Sequence, residues 1–152
     1  MAALADMLTA ALARGDAAAV DAAWNDTLRG ASTDAARTVA ANSTSDLPLD
    51  LLHDLMLSPS HHLHQQVARM IQGRADPESL PVIKRVLDQG FEPFAYTCSE
   101  DSVIAKWFSH ILASIGTPDA VGLISHYAES KNEGVAAEMG YRLGRLNERD
   151  RT

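Results

Sequence analysis

Residues 73–83 read Gly73-Arg74-Ala75-Asp76-Pro77-Glu78-Ser79-Leu80-Pro81-Val82-Ile83, and residues 114–124 read Ser114-Ile115-Gly116-Thr117-Pro118-Asp119-Ala120-Val121-Gly122-Leu123-Ile124. The two stretches align at an offset of 41. Each places a capping residue, Asp76 or Thr117, before a proline suited to the first helical position. Apolar residues continue in step: Leu80, Val82 and Ile83 match Val121, Leu123 and Ile124. Leu49, Leu51 and Leu52 precede the first set at an offset of 31.

A second apolar series keeps the same register. It consists of Leu63, Val67 and Ile71, then Ile104, Phe108 and Leu112, then Val135, Met139 and Leu143. Spacings of three and four residues mark one face of a helix. Residues 46–148 are therefore expected to form three helix pairs, with Ser58-Pro59 capping the helix that holds Leu63. The middle pair is about ten residues longer than its neighbours. That excess must lie at 89–100. A period of this length with two helices per unit is the mark of an α-solenoid.

The first 45 residues include 16 alanines and fall outside the register. Leu4, Leu8 and Leu12 form one stripe, which stops near Gly15, with Asp16 placed to cap the next helix. Val20, Trp24 and Leu28 form a second stripe ending at Gly30. Ser32 or Thr33 should cap a third helix reaching Asn42, before the polar run Asn42-Ser43-Thr44-Ser45.

The junctions at 73–80 and 115–121, with Val135-Ala136-Ala137 leading into Leu143-Gly144, resemble the HEAT repeat family. The resemblance implies an all-α fold, a short right-handed α-solenoid of HEAT-like helix pairs. Residues 1–45 would be its N-terminal helical cap, and residues 1–152 one domain. It also implies that the second helix of each pair lines a concave face.

Composition narrows function by exclusion. The formal charge is −7 at pH 7. A nucleic-acid binder needs a positive footprint, so no nucleic-acid partner is expected. Acidity suits solubility or a basic protein partner. Cys98 is the single cysteine, which rules out an intramolecular disulfide and a zinc–thiolate cluster. The N-terminus lacks a basic signal-peptide region, and no apolar run is long enough to span a membrane. A cytoplasmic location is expected.

Two clusters could carry chemistry. His61 and His64 lie three residues apart, a spacing open to two metal ligands, but no H-E-x-x-H pattern accompanies them. A solvated helix start is the expected role. Cys98 with His110 could act as nucleophile and base near a helix start, yet no family signature surrounds the cysteine. No catalytic residue, metal site or cofactor is therefore assigned.

The repeat register instead points to a binding surface. If Val67, Ile71 and their equivalents face inward, the row facing outward is Gln66, Arg69 and Gly73, then Trp107, His110 and Ser114, then Glu138, Tyr141 and Arg145. Trp, Tyr and Arg are enriched at binding hot spots. Arg69, Trp107, His110, Tyr141 and Arg145 are the resulting candidates. The 89–100 insertion adds Phe91, Phe94 and Tyr96, with Glu92, Glu100 and Asp101 beside them, as a contact patch or an anchored loop.

The leading expectation is a protein-binding module. Its most concrete form is an immunity protein that neutralises a cognate bacterial toxin, a resemblance of size and fold type. The partner would then be a protein, in this form a basic toxin domain. The alternatives are an enzyme or lyase-like helical protein using Cys98 and His110 or the His61–His64 cluster, and an adaptor in a larger assembly.

Overall fold

The computed structural model describes residues 4–29 and 47–150. Every regular element among them is helical, so the chain is all-α there. The expected third helix, the stop at Gly30 and the linker Asn42–Ser45 lie outside the described residues. No helix among the described residues is long and apolar enough to cross a membrane.

Contacts divide the chain into two compact units, 1–67 and 68–152. The sequence predicts a single domain with a boundary near residue 45 between cap and repeats. Within the first unit the helix Leu49–Leu57 packs on the helix Leu4–Ala13.

The first unit opens with α1 (Leu4–Ala13), which buries Leu4, Leu8 and Ala11. Ala11 takes the inward place expected of Leu12, as a 3.6-residue period requires over two turns. Gly15, at φ 66°, turns the chain, and Asp16 caps α2 (Ala17–Arg29) by accepting from the Ala19 amide at 3.0 Å. α2 buries Val20, Ala23 and Trp24. α3 (Leu49–Leu57) buries Leu51, Leu52, Leu55 and Met56.

Ser58-Pro59 ends α3 rather than starting the next helix: the Ser58 amide donates to the Asp54 carbonyl at 3.0 Å. The chain then passes through Ser60, at φ 78°, and a buried His61 before α4 (His64–Arg74) begins. Leu63 closes the first turn of α4, its carbonyl accepting from Val67 at 2.9 Å.

Asp76 caps as expected, accepting from the Glu78 amide at 2.9 Å, but Pro77 opens a 3-10 turn (Pro77–Ser79) rather than an α-helix. Next comes α5 (Leu80–Gln89), which buries Ile83, Val86 and Leu87. Gly90, at φ 94°, ends it. The insertion is a 3-10 segment (Glu92–Thr97) leading through Cys98, at φ 54°, to α6 (Asp101–Ile115). Gly116 stops α6 at φ 67°. Thr117 then caps α7 (Pro118–Tyr127), accepting from the Ala120 amide at 3.2 Å, with Pro118 in the first turn. The last helix is α8 (Glu133–Asp150).

Six α-helices, α3 to α8, thus follow one another along the stretch expected to hold the helix pairs. In the second unit α6 packs on α8, and α7 packs on both. Leu52, Ile71, Ile83, Leu112 and Ile124 are fully buried, as their register requires. Leu143 is only half-buried. Met139 fills the last fully inward place on α8, and Tyr141, Gly144 and Arg145 beyond it are exposed.

Candidate functional site

The insertion is held by its own aromatics. Phe91 and Phe94 are buried, their ring centroids 5.9 Å apart, and each stacks or tilts against Phe108 of α6 at 5.9 and 6.0 Å. The backbone is suited to this. The Phe94 amide donates to the Phe91 carbonyl at 3.0 Å, and the Thr97 hydroxyl donates to the Phe94 carbonyl at 2.7 Å. Removing two phenylalanines from water outweighs any gain from displaying them. Of the two roles expected for the insertion, Phe91 and Phe94 take that of the anchored loop and lie in the core. Tyr96 is half-buried and Glu92 exposed.

Trp107 extends the same cluster outward. It is half-buried, with ring centroids 6.0 Å from Phe94 and 6.4 Å from Phe108. One face of the indole is therefore committed to anchoring the insertion.

His110, one turn along α6, meets α8. The Arg142 guanidinium donates to its Nε2 at 3.1 Å. Arginine can only donate, so Nε2 must be an acceptor and the ring neutral, with its proton on Nδ1. Burial lowers the His110 pKa, helped by the positive charges of Arg142 and Lys106 and opposed by Glu138. Glu138 lies 3.7 Å from the Arg142 guanidinium and accepts from the buried Ser109 hydroxyl at 3.3 Å. The Arg142 guanidinium also sits 5.6 Å from the centre of the Tyr141 ring.

Tyr141 itself is 59% exposed. Arg145 is exposed beyond it and pairs with Glu148 at 3.4 Å. The structure thus brings Trp107, His110, Tyr141 and Arg145 onto the adjoining helices α6 and α8. Arg69 is exposed on α4. Asp101, a candidate beside the insertion, accepts from the Asn132 side chain at 2.7 Å, while Asn132 caps the start of α8 through the Val135 amide at 3.2 Å. Glu100 is exposed next to it. Arg142, the hub of this face, is absent from the sequence-based candidates. Its i,i+4 spacing from Glu138 was the available signal.

Cys98 is exposed, with Sγ 3.9 Å from the Tyr96 carbonyl, whereas His110 is engaged by Arg142. Neither of these contacts joins the two side chains to each other. The histidine cluster departs further from expectation. His61 and His64 do not form a solvated helix start: both are 0% exposed, and their rings stack at 4.0 Å. His61 Nε2 donates to the Leu55 carbonyl at 2.6 Å, and its Nδ1 accepts from the Leu63 amide at 3.1 Å. His64 Nε2 donates to the Ser58 carbonyl at 2.7 Å. These carbonyls close α3, where a helix runs out of its own donors. Only His62 points outward, meeting Asp21 through both its amide (2.8 Å) and its ring (3.1 Å).

Among the described residues, no group of three or more His, Cys, Asp or Glu side chains is placed to hold a metal ion. No family model, curated protein or solved structure matches the chain.

Proposed function

We propose that this protein is a protein-binding module whose contact surface is the α6–α8 face around Tyr141. The observation that carries this reading is an exposed tyrosine held beside a guanidinium that is itself fixed by His110 and Glu138. Ordering these groups before a partner arrives reduces the entropy lost on binding. An aromatic and an arginine in fixed positions are the usual material of a hot spot.

The order of helix pairs, with α6 against α8, supports a short HEAT-like solenoid in which second helices neighbour one another. In its most concrete form the protein is an immunity protein that masks a basic toxin domain. The −7 charge would speed that encounter through long-range attraction. Affinity capture from the native cell, comparing the wild type with Tyr141→Ala, tests the reading. A partner retained by the wild type and lost with the variant supports it. Capture of the same set by both folded proteins would remove this face from consideration.

A further inference from the structure

We propose that the stacked His61–His64 pair is an acid-released latch, holding the first compact unit closed when both rings are neutral and opening it on acidification.

The geometry allows the His61 ring one protonation state. The His61 Nε2–H is committed to the Leu55 carbonyl at 2.6 Å, and Nδ1 is already filled by the Leu63 amide proton at 3.1 Å. A second proton on His61 would set one N–H against another. It would also place a charge on a ring that is 0% exposed and 4.0 Å from a second ring in the same position. A charge buried without a partner is costly enough that the group stays neutral or the structure gives way.

The surroundings do not offset that cost. From α2, Asp21 attracts a proton on either ring, but its carboxylate already takes the His62 amide and ring. His62, when protonated, repels. Asp16, at the start of α2, shares with His61 the lining of a cavity of about 190 Å³ that is otherwise largely apolar. Burial wins over these charges: it lowers the His61 pKa, and with repulsion from His61 it brings His64 down to about 4.

These shifts set the direction of the pH effect. The unfolded histidine takes up protons near 6.5 while the folded pair refuses them, so stability is full above 6.5 and falls as pH drops. Between pH 6.5 and 5, His64 alone raises the opening constant roughly fifteenfold. His61 adds to that. Opening is expected to begin at Ser58–His64, because Ser60 already holds a left-handed conformation that a side chain disfavours.

Amide hydrogen exchange of the full chain at pH 7.5 and 5.0, corrected for intrinsic rates, tests the latch. Expected is a loss of protection of about tenfold or more in α1, α2, α3 and at Leu63, with α5 to α8 changed by no more than a few-fold. The double variant His61→Gln/His64→Gln keeps an amide donor at each position without a titratable ring, and should abolish the difference. Should that variant fail to fold, the wild-type ring nitrogens decide by NMR: both rings must remain neutral at pH 6. Unchanged protection at pH 5.0, equal loss along the whole chain, or rings titrating near 6.5 would each overturn the proposal.

Discussion

A Cβ built on Gly134 would lie 2.7 Å from the Ser102 amide nitrogen and 3.1 Å from the Asp101 Cβ, so α6 and α8 meet backbone to backbone at their first turns. The nearest obstacle is main chain, which cannot rotate away. Gly134→Ala should therefore cost about 1–3 kcal/mol, as overpacking does elsewhere. Gly140→Ala is its control. Nothing stands within 4 Å of that site, and alanine is the better helix former by about 1 kcal/mol. Thermal melts should move in opposite directions for the two variants.

Tyr127 joins α7 to α5. Its hydroxyl donates to the Asp88 carboxylate and lies 3.2 Å from the Lys84 carbonyl. Tyr127→Phe should cost about 1–2 kcal/mol in denaturant unfolding, the usual range for such bonds. Burial and the Asp88 carboxylate both raise the Tyr127 pKa. A raised acid contributes stability that is present below its unfolded value and lost above it. Unfolding measured from pH 9 to 11 should show stability falling past 10 in the wild type and a shallower fall in the variant.

His110 should titrate below 6.5 in the folded protein, since burial and Arg142 both disfavour its charged form. Arg142→Gln removes the nearest positive charge and should move the midpoint upward. Proton NMR of the ring checks this. An unmoved midpoint would mean that Arg142 does not engage His110 in solution.

Much of the fold could be read from spacing alone. The apolar series at Leu52, Ile71, Ile83, Leu112 and Ile124 names fully buried residues because periodicity reports directly which face turns inward. Capping at Asp16 and Thr117 was legible for a similar reason, since the acceptor lies within three residues of its donor. What spacing leaves open or hides has a different cause. His61 and His64 look polar in sequence, and only the unsatisfied carbonyls at the end of α3 explain why they are buried. Phe91 and Phe94 sit in a loop by sequence, but Phe108 and Trp107, contributed by α6, draw them inward. Likewise Gly134 and Arg142 are set by which helix crosses which, something a linear period does not encode.

Leu112 and Leu143 occupy matching register positions yet differ in burial, and truncation should expose the difference. Leu112→Ala should lose about 2–5 kcal/mol, the cost of a cavity in a packed core. The half-buried Leu143 can be partly replaced by water, so Leu143→Ala should lose clearly less. Equal losses in denaturant melts would show that α8 is packed more deeply than its exposure indicates.

Trp107 and Tyr141 belong to the same outward row, but their surroundings predict opposite consequences of truncation. Trp107 is half-buried against Phe94 and Phe108, so Trp107→Ala should loosen the insertion and lower the melting temperature with or without a partner. Tyr141 is 59% exposed, its ring facing the Arg142 guanidinium. Tyr141→Ala should leave the melting temperature nearly unchanged, because little of the ring is removed from water on folding. Its cost should fall on binding, about 2 kcal/mol, or roughly a thirtyfold weaker Kd, if the ring is the anchor of the interface. Glu100→Lys should act mainly on the association rate and its salt dependence, as an exposed charge at the edge of a contact does. Titration calorimetry and stopped-flow association with the captured partner separate these effects. A folded Tyr141→Ala that binds with wild-type affinity would move the contact surface away from α6 and α8.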